Sequence, residues 1–223
     1  MPSSNTQAEP TVQGQSTTDS NILILGIGNL LWADEGFGVR CVETLIRRYQ
    51  LPNNVTAMDG GTQGLYLLPY VQAARRLVVF DAVDFGLAPG TLLAVEDDAV
   101  PRYMGAKKMS LHQTGFQEVL SAAMLTGALP ASLLLIGVQP VELDDYGGSL
   151  RPAVRDKLDA AVELAVVRLR DWGIELAPRD PSDAVSLNAA ALALDRYEAG
   201  RPSEQAACRH GDGRILFGDD PCA

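Results

Sequence analysis

The 223-residue chain is 47% apolar and 21% charged, an ordinary globular composition with enough length for one sizeable core. Its formal net charge of -10 argues against a surface that displaces counterions from nucleic acid or anionic membrane. No apolar run approaches membrane-spanning length, so neither nucleic-acid binding nor membrane insertion is expected.

Residues 1–20 are polar, rich in Ser, Thr, Gln and Pro, and lack the basic start and apolar centre of a secretory signal. A disordered lead-in is expected there. The run Ile22 to Leu25 reads as a first strand, followed by Gly26-Ile27-Gly28-Asn29 and Asp34-Glu35. A helix is predicted from about Gly36 to Gln50, because Val39, Val42, Leu45, Ile46 and Tyr49 recur at helical spacing. Val55 to Met58 is a short strand running into Asp59-Gly60-Gly61-Thr62. A helix through Leu65 to Ala73 leads to the strand Leu77 to Phe80, which ends at Asp81. The turn Ala88-Pro89-Gly90 precedes a strand from Thr91 to Val95. Thr114 to Leu125 shows a helical face of Phe116, Val119, Leu120 and Ala123, and Leu133 to Val138 is a continuous apolar run suited to a central parallel strand. Pro152 opens a last long helix carrying Val154, Leu158, Ala161, Val162, Ala165, Leu169 and Trp172, with Gly173 placed to stop it.

Strands alternating with helices predict βαβ units and an α/β fold: a three-layer α/β/α sandwich with a twisted, mostly parallel sheet of about five strands. One domain is expected over residues 21–178. Residues 179–223 lose the rhythm and form an appendage, partly helical or disordered, in which Asp183 to Tyr197 is Ala-rich. Cys41, Cys208 and Cys222 are too few and too widely spaced for a disulfide framework, which predicts a reducing, cytoplasmic setting and a buried, inert Cys41.

Three polar residues stand where such a fold gathers its ligands, beyond the carboxyl ends of the strands. Glu35 follows the first strand, Asp81 ends an apolar strand, and His112 lies in a loop or the first turn of a helix. Two carboxylates and an imidazole suit a divalent first-row metal and leave coordination positions open. Burying Asp81 at a strand exit costs several kcal/mol unless it is paired or metal-bound. Asp34 reads instead as a helix N-cap. Asp59 suits an Asx turn, and the two glycines after it suit a loop closely approached by another backbone. Gly26-x-Gly28 invites a dinucleotide reading, but the third glycine of that fingerprint falls on Leu31. The glycines then serve a tight turn or close backbone approach, with Asn29 tolerating a left-handed conformation.

The segments Gly26-Ile27-Gly28-Asn29, Asp34-Glu35-Gly36-Phe37-Gly38-Val39-Arg40, Asp59-Gly60-Gly61-Thr62-Gln63-Gly64, Asp81-Ala82, Pro89-Gly90-Thr91, Ser110-Leu111-His112-Gln113 and Gly137-Val138-Gln139-Pro140 together resemble the [NiFe]-hydrogenase maturation endopeptidases. The resemblance spans residues 21–178 in order. It implies removal of a C-terminal extension from the [NiFe]-hydrogenase large-subunit precursor once nickel has been inserted. It implies that Glu35, Asp81 and His112 contact metal, and it brings the loop of Asp59, Gly60, Gly61 and Thr62 to the site, where it would meet substrate. Nickel is then contributed by the precursor, no organic cofactor is expected, and Glu35, Asp59 and Asp81 are the candidate catalytic carboxylates. Such peptidases are often classed as aspartic. The choice of general base between Asp59 and Asp81 stays open, since environment divides carboxylates into acid and base. No Ser or Cys has a recognisable base in its motif. Two alternatives stand beside this reading: a non-catalytic nickel-sensing assembly chaperone and a nucleotide-binding α/β protein.

Overall fold

A computed structural model describes residues 21–101, 111–183 and 185–201, and only the backbone of residues 111–114. Four parallel strands form its centre: β1 (Ile22–Ile27), β3 (Val55–Gly61), β4 (Arg76–Ala82) and β6 (Ser132–Val138). β5 (Leu92–Glu96) joins antiparallel at one edge, giving the order β3-β1-β4-β6-β5. A separate antiparallel pair, β2 (Tyr49–Gln50) and β7 (Ala177–Pro178), ties the end of the first helix to the chain after the last long one. The helices are α1 (Phe37–Arg48), α2 (Leu68–Ala73), α3 (Leu111–Leu125), α4 (Pro152–Arg155), α5 (Leu158–Asp171) and α6 (Leu194–Gly200).

The central strands are apolar throughout because both sheet faces are covered. Ile24, Val78, Phe80 and Ile136 pack on Phe37, Val42 and Leu45 of α1 and on Ala161, Val162 and Ala165 of α5. On the other face, Leu25, Val79 and Leu135 meet Val71 of α2 and Phe116, Val119 and Leu120 of α3. This is the expected three-layer sandwich. No helix among the described residues is long and apolar enough to cross a membrane.

The strand order reverses at β1: the chain moves from β1 outward to β3, then returns to place β4 on the other side of β1. Such a switch point opens a crevice at the carboxyl end of the sheet. Here α1 begins almost in contact with the strands. A Cβ on Gly38 would lie 2.2 Å from the Phe80 carbonyl oxygen and 2.3 Å from that of Ile27, and one on Gly26 would lie 2.4 Å from the Gly38 oxygen. Close helix-strand approach is thus achieved by Gly26 and Gly38, without the missing glycine at position 31.

Several boundaries differ from the sequence expectation. Asp59 and Asp81 lie inside β3 and β4 and not after them, and the backbone of Gly61, two residues on, still faces the Asp59 carboxylate as in an Asx turn. The two glycines after Asp59 form a β-bulge: Gly26 pairs with Asp59 but Ile27 pairs with Gly61, leaving Gly60 as the extra residue. Gly61 takes a left-handed φ of 45°, and a Cβ on Gly60 would meet the Ile27 side chain. The left-handed residues after β1 are Gly28, at φ 123°, and Ala33, at φ 35°. Asn29 is not one of them; its side-chain oxygen accepts the Leu31 N–H, closing an Asx turn. The helix predicted from Pro152 is broken at residues 156–157 into α4 and α5, and Gly173, at φ 82°, ends it as expected.

Candidate active site

Glu35 and Asp34 sit in a 3-10 turn, Ala33–Gly36, bridging β1 and α1 at the switch point. The turn is set by Gly28, where a Cβ would fall 1.8 Å from the Glu35 carbonyl oxygen. It is therefore pressed onto the end of β1, beside the end of β4. The strain at Ala33 falls immediately before the two acids, as strained backbone commonly does at functional sites.

The two neighbours have different work. Asp34 is fully buried, and it is not a cap: the turn has no side-chain cap bond. Its Oδ2 accepts the backbone N–H groups of Val141 and Glu142 at 2.8 and 2.9 Å, and its Oδ1 accepts that of Arg151 at 2.7 Å. One carboxylate thereby gathers both ends of the loop after β6. Glu35 is 7% exposed, and burial, with a smaller contribution from the Asp144 charge, raises its pKa to about 7. A carboxyl poised near neutrality can exchange a proton or take a cation at small free-energy change.

Asp81 is buried in β4, opposite Gly137 of β6. Alternation along the strand puts it on the face of Leu77 and Val79, which is covered by α2 and α3. Position 112 is the second residue of α3, one helical turn before Phe116, which packs on that same face. The side chain of His112 lies outside the described residues. Among the described residues, no three His, Cys, Asp or Glu side chains are grouped as a metal cage.

Asp59 stands apart. It pairs with Gly26 across β1 from Phe80, so its backbone is two strands, or roughly 10 Å, from β4. Val55 and Ala57 pack on the α1 face of the sheet, and by alternation Asp59 belongs to that face, opposite to Asp81. Burial raises its pKa, while a hydrogen bond from Asn188, the Gly61 backbone and the Arg40 charge pull it down. The Gln63 side chain caps the Asp59 carbonyl at 3.1 Å, and Thr62 is exposed beyond the bulge.

Other motif residues hold this rim in shape. Gln139 accepts the N–H groups of Phe85 and Leu87 and donates to Asp84 at 3.0 Å, fixing the loop that leaves β4 just after Asp81. Gly137 makes room for the Phe85 ring, and Gly90, at φ 77°, for the Ala153 carbonyl. Arg40, 3% exposed, is bound by Glu43 and donates to the Leu192 carbonyl at 2.6 Å. Its place in the Asp34 to Arg40 run was the only sequence signal for it, and nothing in the sequence pointed to Asn188. Cys41 is buried with its thiol pKa pushed well up, as an inert core thiol should be.

An α/β sandwich with buried carboxylates at its switch point, and no activated thiol among the described residues, defines a site for acid-base or metal-assisted chemistry. The model of the hydrogenase maturation protease family matches residues 39–168. The hydrogenase expression/formation protein HoxM of Azotobacter vinelandii is 64% identical over 199 residues, 89% of this chain and 96% of its own. HoxM of Cupriavidus necator is 59% identical, over 87% of this chain and 98% of its own. Among solved structures, the hydrogenase maturating endopeptidase HybD from E. coli is 41% identical with a TM-score of 0.68, covering 74% of this chain and 99% of that one. The chain belongs to the hydrogenase maturation protease family. It is accordingly a maturation endopeptidase, a hydrolase of the peptide bond.

Proposed function

We propose that this endopeptidase removes the C-terminal extension of a [NiFe]-hydrogenase large-subunit precursor after nickel insertion, and that nickel in the precursor is what it recognises. The observation that carries the reading is Glu35, a buried carboxyl with a pKa of about 7, held on the rim where β1 and β4 end and Asp81 is buried. In this proposal Glu35, Asp81 and His112 contact the precursor's nickel. Two carboxylates and an imidazole make a weak site for that ion, so the enzyme inspects nickel held by the precursor without extracting it.

Nickel bound in this way orients the scissile peptide against the rim. The bulged segment Asp59 to Thr62 lies on the edge strand and receives the extended substrate chain. We assign the general base to Asp59. Burial raises its pKa and so strengthens it as a base, the Asn188 bond, the Gly61 backbone and the Arg40 charge offset part of that rise, and it stands at the bulged edge where the substrate chain is received. The resulting enzyme is of aspartic type in the sense that carboxylates, with no nucleophilic side chain, activate water. It works in the cytoplasm, with no organic cofactor.

The test is to incubate the purified protein with nickel-loaded and nickel-free precursor and weigh the products. Loss of a C-terminal peptide from the loaded form alone is expected. Equal cleavage of both forms removes nickel recognition, and cleavage of neither leaves a nickel-sensing chaperone.

A further inference from the structure

Residues 179–183 and 185–201 pack on the domain through a series of polar contacts, and Asn188 reaches Asp59. Arg179 anchors their start, donating to the carbonyls of Ile46 at 2.8 Å and Tyr49 at 3.2 Å. The far end is fastened to the loop after β6. Tyr197 donates to the Gly148 carbonyl, Arg201 donates to that of Gly147, and Glu198 accepts from Ser149 and Arg155. That loop is the one pinned by Asp34. Between the two anchorages the Leu192 carbonyl is held by Arg40, whose guanidinium also lies 5.8 Å from the centre of the Tyr197 ring. Asn188 falls in the middle of this strap, and its Nδ2 donates to Asp59 Oδ2 at 2.8 Å.

We propose that Asn188 is a positioning residue for the Asp59 carboxylate, and that residues 185–201 are the strap that delivers it. An amide is suited to this task. Its N–H donates to the carboxylate and holds one oxygen in place, while adding no charge and accepting no proton from the group it orients. The groups that favour a charged Asp59 come from three places: hydrogen bonds from Asn188 of the strap and the Gly61 backbone of β3, and the charge of Arg40 from α1. Because the strap is fixed on both sides of Asn188, the amide is presented by a built structure and not by a loose end. The Asp34 anchor and the strap share the 147–151 loop, so the rim bearing Glu35 and the carboxylate of Asp59 are fastened to the same piece of chain.

This inference rests on the endopeptidase reading, and the experiment separates the two. Asn188→Ala and Asn188→Asp are compared with the wild-type full chain in single-turnover cleavage of the nickel-loaded precursor, and the Asp59 carboxyl carbon is titrated by NMR in the same three proteins. Expected for Asn188→Ala is a fall in the cleavage rate constant on the order of tenfold or more, with the half-saturating precursor concentration and the thermal midpoint unchanged. The Asp59 resonance should titrate at higher pH than in the wild type, and higher again in Asn188→Asp, where two carboxylates share the contact. An unshifted Asp59 titration in Asn188→Ala overturns the contact. A wild-type rate in Asn188→Ala, or a loss that follows the folded fraction alone, overturns the positioning role. Failure of the wild type to cleave loaded precursor overturns the endopeptidase reading itself, with the Asp59 titration still reporting on the strap.

Discussion

Asp34→Ala is the substitution whose consequence follows most directly from the structure. The Asp34 carboxylate has no solvent exposure and accepts three backbone N–H groups at 2.7 to 2.9 Å, from Val141, Glu142 and Arg151. Hydrogen bonds to a charged group contribute about 1.5–3 kcal/mol each, and a donor left buried and unsatisfied costs about 1–3 kcal/mol. Three donors lose their acceptor at once, and water entering the vacated space recovers part of the loss, leaving a destabilisation of about 4–6 kcal/mol. Against a total stability of about 5–15 kcal/mol that is a large fraction. Asp34→Asn keeps one acceptor oxygen, which can serve Val141 and Glu142, but turns an amide N–H toward the Arg151 N–H. About 2–3 kcal/mol is expected for it. Urea unfolding followed by tryptophan fluorescence reads both, and Trp32 helps because its ring contacts Tyr146 of the same loop at 5.4 Å. With a urea slope of about 2 kcal/mol per molar, the alanine midpoint should fall by roughly 2–3 M. A fall of less than about 0.5 M would show that Asp34 does not hold the loop, and the account of the rim would go with it.

Glu35 supplies a pH dependence. Its folded pKa of about 7 lies above the ordinary 4.5, so the folded state holds the proton more tightly between those values. Stability is then full below pH 4.5 and falls as pH rises to 7 and beyond, by a total of about 3 kcal/mol. Glu35→Gln carries no such loss, and its stability advantage over the metal-free wild type should grow between pH 5 and 8; a constant difference across that range refutes the shift. Gly38→Ala should destabilise by about 3 kcal/mol or more, since the new methyl group has backbone oxygens of Phe80 and Ile27 in its place. Gly200→Ala, which meets open space, is the control and should stay within about 0.5 kcal/mol by thermal unfolding. Equal effects at the two sites would remove the close approach of α1 to the strands.

The layers of this protein were legible in the sequence because burial on both sheet faces demands unbroken apolar runs such as Leu133 to Val138, and helices on those faces demand the spacing seen in α1. Asp81 stood out for a related reason: a carboxyl ending an apolar run is expensive to bury, so it draws attention on its own, while Glu35 was read from its place after the first strand. Asp59 was legible only as a member of its motif, and the glycines after it were read as a loop when they form a bulge, because a bulge depends on register with β1 and not on local composition. Asp34 was misread as a cap, since three amides from residues 141, 142 and 151 that bind it are more than a hundred positions away.

What the chain determines by itself is local: period, turn chemistry, the cost of isolated charge, and hence the α/β class and the strand ends where a site belongs. What the tertiary structure alone decides is which side of the sheet each carboxylate takes, and who its partners are. Asp59 and Asp81 read alike in sequence, yet pleat alternation and the two-strand separation put them on opposite faces. Asn188 acquires its meaning only when a strap closes back over the domain. Hydrogen bonds and dielectric environment act through space over a few ångströms, and sequence distance carries no record of them.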